Sequence, residues 1–262
     1  MVFDRAAVRA HRDRAAGTVG LVADLLRDGA MRLLDRLDDM TGTFARALDV
    51  GGRGIVAPLL RARGIATVSC DLSEPMARTN GGPAVVADEE FLPFAAGAFD
   101  LIVASLSLHW INDLPGALIQ FRRALRPDGL FLASMPALGS LAELRSALTR
   151  AELALRGGVS PRVSPFPDLP DCAGLLQRAG FAAPVVDLEE VVVRYADPLR
   201  LLRDLRAAGE TNAVRARSRR TPPADLFPAA LAALRDEDGR APARIRLATM
   251  TGWAAGDRRQ SR

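Results

Sequence analysis

The fold class this sequence predicts is α/β, a mostly parallel sheet with helices on both faces, and three observations carry it. Between residues 45 and 135, short apolar runs that read as strands alternate with stretches of helical periodicity. Glycines cluster at Gly51-Gly52-Arg53-Gly54, where the first strand would turn into its helix. The run Phe99 to Ser105 is apolar on both faces, as a buried parallel strand requires.

The elements follow in order. Residues 1–40 read as helical, with Leu21, Val22, Leu25, Leu26, Leu33, Leu34 and Leu37 at helical spacing among Arg and Asp. Ala45 to Val50 is the first strand, and a helix from Ile55 to about Arg63 carries Pro58 in its first turn. Gly64 stops it, and Ile65 to Asp71 is the second strand. Ser73 or Asp71 caps a short helix over Glu74 to Thr79. Ala84 to Ala87 is strand three and Phe99 to Ser105 strand four. Asn112 or Asp113 opens a helix whose stripe is Leu114, Leu118, Phe121 and Leu125. Arg126-Pro127-Asp128-Gly129 reads as a turn before strand five, Leu130 to Met135. Helices over Ser140 to Arg156, Asp171 to Ala179 and Asp197 to Ala208 follow, each closed by glycine. Strand six covers Pro184 to Arg194, Pro222-Pro223 opens a further helix, and Ile245 to Met250 is the last strand. The whole, residues 1–262, reads as one domain with helical or loop insertions at 136–170 and 197–240.

Composition removes several classes of function. All 35 basic residues are arginine, so chemistry that needs a lysine, a Schiff base or a P-loop, is excluded. The pI near 10.2 follows from the high pKa of arginine, since the net charge is only +4. Acidic and basic residues alternate, and the cluster Arg215, Arg217, Arg219 and Arg220 comes without a nucleic-acid motif, so no nucleic-acid partner is expected. Two histidines, and two cysteines outside any CxxC pair, indicate no metal site and no disulfide framework. No apolar run is long enough to span a bilayer. Met1-Val2-Phe3-Asp4-Arg5 lacks the apolar core of a signal peptide, and Asp4 and Asp13 argue against a transit peptide. A soluble protein of the cytoplasm is the expectation.

Three strand ends carry groups suited to a nucleoside. The glycine turn lets a backbone approach a ligand closely. Asp71, twenty residues after Gly51, can accept hydrogen bonds from both ribose hydroxyls; it can equally cap the next helix. Asp88-Glu89 follows strand three, where a carboxylate can accept from an adenine amino group. This arrangement alone does not separate a nicotinamide cofactor from S-adenosylmethionine.

The turn, Asp71 and the run Ala87-Asp88-Glu89-Glu90-Phe91-Leu92-Pro93-Phe94 before Phe99-Asp100-Leu101-Ile102-Val103 resemble class I S-adenosylmethionine-dependent methyltransferases. The stretch Ser105-Leu106-Ser107-Leu108-His109-Trp110-Ile111-Asn112-Asp113-Leu114-Pro115 is similar to the methyltransferase-like assembly factors of respiratory complex I and their bacterial relatives. So are Gly157-Gly158-Val159-Ser160-Pro161, Ser164-Pro165-Phe166 and Gly209-Glu210-Thr211-Asn212. The same stretches are more loosely similar to malonyl-carrier-protein O-methyltransferase.

This resemblance implies a Rossmann-like seven-stranded sheet with its last strand antiparallel and S-adenosylmethionine over the carboxyl ends of strands one to four. It implies that Asp49, Gly51, Gly52 and Gly54 hold the methionine part, Asp71 the ribose, and Asp88 and Glu89 the adenine. Leu72 and Met76 would flank the adenine, and Ser105 would lie beside the sulfonium. The first motif, Asp49-Val50-Gly51-Gly52-Arg53-Gly54, is one residue shorter than the family's D-x-G-x-G-x-G. Either the turn is tightened or its glycines are displaced. His109 is the candidate catalytic base, with packing beside Trp110 as the alternative. The inserted helices form a substrate lid or plain core. The expected activity is methyl transfer to a protein or small-molecule acceptor. The alternatives are modification of a complex I subunit by arginine hydroxylation, and a cofactor-free scaffold of the same fold.

Overall fold

The computed structural model describes residues 1–40 and 42–256 of the 262-residue chain. Seven strands form one sheet: β1 (Arg46–Val50), β2 (Ala66–Asp71), β3 (Ala84–Val86), β4 (Phe99–Ser105), β5 (Leu125–Pro136), β6 (Phe181–Tyr195) and β7 (Ala241–Ala254). Their spatial order is β3-β2-β1-β4-β5-β7-β6. β1 to β5 pair in parallel, and β7 runs antiparallel between β5 and β6. This is the expected Rossmann-like sheet. The strand order reverses at β1 and β4, which opens a crevice at their carboxyl ends where ligands of such sheets bind.

The central strands are apolar because helices cover both faces. All of β4 is buried. On one face Leu48, Ile102 and Phe131 pack with Leu118 and Phe121 of α5 (Leu114–Ala124) and with Leu176 of α7 (Leu169–Arg178). On the other, Leu101, Val103 and Leu132 pack with Val56 and Leu60 of α3 (Val56–Ala62) and with Leu33 and Leu34 of α2 (Ala23–Leu34). A separate cluster joins α6 (Ala142–Arg156), α8 (Pro198–Ala207), α9 (Leu226–Ala232) and the start of β7. No helix among the described residues is long and apolar enough to cross a membrane.

Several boundaries differ from expectation. Residues 1–40 divide into α1 (Arg5–Ala15), α2 and two 3-10 turns at Val19–Val22 and Asp35–Leu37. Gly17 precedes the first of those turns and Gly20 lies within it. The turn expected at Arg126 to Gly129 is a bulge inside β5: the register steps from Phe99↔Leu125 to Leu101↔Leu130, with Asp128 at φ 59°. β6 and β7 are longer than expected because they pair with each other along their whole length. The last helix starts at Leu226 instead of at the proline pair, and the carbonyl of Pro223 accepts from its first amide. Ser73 caps α4 (Glu74–Arg78), accepting from the Met76 amide at 3.2 Å, and Asp113 caps α5.

Candidate functional site

The glycine turn lies at the carboxyl end of β1, tied to β2 by the Gly51 amide, which donates to the Cys70 carbonyl at 2.8 Å. Gly51 (φ 68°) and Gly54 (φ 78°) keep left-handed backbone, and Arg53 between them takes φ 51°, a conformation that costs a side-chain-bearing residue about 1–2 kcal/mol. A Cβ at Gly51 would stand 2.7 Å from the Ser107 Cβ, and one at Gly52 would collide with the Asp49 carboxylate. The turn is therefore packed close by the chain itself.

Asp49 faces the start of α3, accepting from the Ala57 amide at 3.1 Å and, weakly, from the Ser69 hydroxyl at 3.4 Å. Its other oxygen, Oδ1, is buried without a partner among the described residues. Burial pushes its carboxyl up to about 7, with Asp71 adding to the rise against the pull of the Ala57 amide.

Asp71 ends β2 and is 1% exposed. Its Oδ1 accepts from the Ser73 amide at 2.8 Å, and its Oδ2 faces Arg12 Nη1 at 3.3 Å. Arg12 comes from α1 and is itself 1% exposed. The same Nη1 donates to Glu89 at 2.7 Å, and Arg5, one helical face and seven residues earlier, bonds both Glu89 and Asp88. Glu89 is fully buried, and Asp88 is 24% exposed. The two buried carboxyls respond differently. Burial lifts Asp71, and a single longer contact to Arg12 does not cancel that. Burial also opposes the Glu89 charge, but Arg12 and Arg5 together hold its carboxyl below the usual range.

The second half of the site gathers on Glu210, which follows Gly209 at the end of α8. His109 Nε2 and Trp110 Nε1 each lie 2.7 Å from Glu210 Oε2, and Arg53 pairs with Oε1. Arg53 also donates to the Leu106 carbonyl at 2.9 Å. Burial alone would raise the Glu210 carboxyl, yet His109 and Arg53, with the two ring donors, bring it to about 2. His109 lies in the 3-10 turn Leu108–Trp110 after β4, with the Phe166 ring edge-on at 6.1 Å. Its Nδ1 is buried without a partner among the described residues.

The structure brings Asp49, Gly51, Gly52, Gly54, Asp71, Glu89, Ser105 and His109 to one end of the sheet. It sends Met76 elsewhere: that side chain packs with Ala15, Val19, Val22, Ala207 and Ala208. Leu72 lies against the Phe3, Val8 and Trp110 cluster. Sequence reasoning missed Arg5, Arg12, Arg53 and Glu210. The seven-residue spacing of Arg5 and Arg12 was the available signal for that pair, whereas no spacing relates Glu210 to His109.

The donor set suits a nucleoside with a zwitterionic tail. A carboxylate stands at the β2 end, and polar atoms of Asp49, Arg12, Arg53 and His109 are buried without partners around the turn. A small void lies beside Gly52, Arg53, Ile55 and Ser105.

Residues 22–186 match the family model described as a methyltransferase domain. The chain is 40% identical to a zebrafish (Danio rerio) mitochondrial arginine-hydroxylase NDUFAF5, over 98% of this chain and 84% of that protein. It is 37% identical to a malonyl-[acyl-carrier protein] O-methyltransferase of Laribacter hongkongensis, over 82% of this chain and 77% of the relative. Among solved structures, the 1,6-didemethyltoxoflavin-N1-methyltransferase of Burkholderia thailandensis, with bound S-adenosylhomocysteine, shares the fold. Its TM-score is 0.53 at 19% identity, covering 96% of this chain and 88% of that one. The chain belongs to the methyltransferase-domain family, whose cofactor is S-adenosylmethionine.

Proposed function

We propose that this chain moves the methyl group of S-adenosylmethionine to a nucleophile held beside His109. The observation that carries the reading is the buried Asp71 carboxylate at the β2 end, next to a glycine turn at the switch point of the sheet. In this reading Asp71 accepts from the ribose hydroxyls, Asp88 and Glu89 serve the adenine end, and the backbone of Gly51 to Gly54 lies along the methionine part. Ser105 ends β4, next to the sulfonium.

The cofactor supplies an electrophilic methyl on a sulfonium sulfur, and transfer needs in-line placement of an acceptor that has lost its proton. With His109 Nε2–H donating to Glu210, the lone pair of Nδ1 is free to take that proton, and the resulting imidazolium faces the Glu210 carboxylate. The Trp110 indole, bonded to the same oxygen, fixes that carboxylate from a second side. Two buried, unpaired thiols, Cys70 and Cys172, go with a reducing cytoplasmic setting.

A second reading is modification of a respiratory complex I subunit, favoured by 40% identity over 98% of the chain to a protein named as an arginine hydroxylase. Incubation with S-adenosylmethionine and either a malonyl carrier protein or a complex I subunit, the latter also with dioxygen and a two-electron reductant, read by mass spectrometry, separates the two. Gain of a methylene on the acceptor supports methyl transfer; gain of an oxygen on an arginine supports the second reading. The ribose assignment has its own test. Asp71→Ala should weaken S-adenosylhomocysteine binding by about 1–3 kcal/mol by calorimetry, and unchanged affinity would refute it.

A further inference from the structure

We propose that Arg12 is a resident competitor for the cofactor: its guanidinium holds the Asp71 carboxylate when cofactor is away and yields it when the nucleoside enters. The inference rests on the ribose role given to Asp71 above. Asp71 has two oxygens, and Oδ1 is engaged by the Ser73 amide that shapes the entry to α4. Oδ2 is the oxygen left for a ribose hydroxyl, and it is the one Arg12 faces at 3.3 Å. The guanidinium also borders the glycine turn, since a Cβ on Gly51 would lie 3.4 Å from Arg12 Nη1. It thus spans the space between the turn and the β2 end, the two places that a nucleoside with an amino-acid tail must touch.

The geometry is that of a pair built to part. A purely structural buried arginine is expected to have its donors satisfied, yet Arg12 Nη2 has no partner among the described residues. Its contact to Asp71 is the longer of its two, and the Asp71 carboxyl stays raised by burial despite it. Glu89 is the cation's better partner, at 2.7 Å, so giving up Asp71 leaves Arg12 charged and still paired. The helix that presents it is anchored at both ends. Phe3 packs edge-on against Trp110 at 5.3 Å and the Asp4 amide donates to the Ala213 carbonyl, while Ala15 packs with Val19 and Met76. The competitor is therefore held at the site at a fixed local concentration.

Calorimetry with S-adenosylhomocysteine on the full chain and on Arg12→Gln tests this, together with thermal midpoints without ligand. The variant should bind about tenfold tighter, the equivalent of one charge-assisted hydrogen bond, and melt lower without ligand because Asp71 and Glu89 lose their shared cation. Binding by the variant alone has the same meaning. Weaker or unchanged affinity in the variant overturns the competition, while leaving the cofactor assignment intact. Silence from both folded proteins sinks the cofactor assignment and this inference with it. Should Arg12→Gln fail to fold, hydrogen exchange over residues 5–15 of the natural chain decides. Faster exchange on adding ligand is expected, and slower exchange would make Arg12 a ligand contact instead.

Discussion

Asp49 is held under the first turn of α3 with one oxygen bonded and the other bare. A carboxylate there is costly to charge, which is why burial moves it to about 7 from an ordinary value of 3.8. The folded chain keeps this proton where the unfolded chain has lost it, so stability falls as pH rises from about 4 to about 7. A shift of this size is worth up to about 4 kcal/mol above pH 7, and an amide, still a polar group to bury, recovers roughly half of it. Asp49→Asn keeps the oxygen that Ala57 donates to and removes the charge. Its thermal midpoint should exceed that of the natural chain at pH 8, by the equivalent of about 2 kcal/mol, and match it near pH 4. A variant less stable than the natural chain at pH 8 would mean that the charge is used in the fold.

At the scale of elements, what was legible was what each element decides by itself. The strands β1, β2 and β4 announce themselves by short apolar runs bounded by glycine or acid, because burial between helices demands that composition, while β3 is a short exposed edge strand legible mainly from its flanking Gly82 and Asp88. Asp71 and Asp88 were readable as candidates because acids just after apolar strands stand where open α/β sheets bind ligands. The bulge in β5 was not, since Pro127-Asp128-Gly129 has turn chemistry and only pairing with β4 keeps it inside a strand. The Arg12 contacts were hidden for a similar reason: the seven-residue spacing puts Arg5 and Arg12 on one helical face, but their partners lie 59 and 77 positions from Arg12 and no local pattern names them. The same holds for Glu152 of α6, whose carboxylate takes Arg162 Nε at 3.0 Å, Arg162 Nη2 at 2.5 Å and the Ser160 amide at 3.1 Å. These bonds fasten the loop after Gly157 to the helix, and the Arg162 contacts, against a smaller cost of burial, bring the carboxyl to about 2. Glu152→Gln should cost about 2 kcal/mol in denaturant unfolding and speed proteolysis between residues 157 and 168. An unaltered cleavage rate would show that other contacts hold the loop.

For the molecule as a whole these groups set a pH optimum for stability that its arginine-rich composition would not suggest. Glu152 and Glu210 sit near 2 in the folded chain against an ordinary 4.5, and Glu89 is lowered in the same sense. Each contributes stability that is present above about pH 4.5 and is lost as pH falls toward 2, because the unfolded chain takes up the protons first. Loss of these charges coincides with general neutralisation of 31 acidic side chains while all 35 arginines remain charged, so repulsion adds to the effect. On the alkaline side Asp49 works in reverse, and Asp71, raised in the same direction, reinforces it. His11, lowered by burial, opposes them over the same range, one group against two carboxyls. The thermal midpoint should therefore peak near pH 5 and decline on both sides, steeply toward pH 2 and by several degrees toward pH 8. Circular dichroism melts at fixed ionic strength across that range would show it, and Asp49→Asn should flatten the alkaline limb alone. A midpoint that climbed steadily to pH 8 would mean that the carboxylates at the β1 and β2 ends are stably charged in the fold.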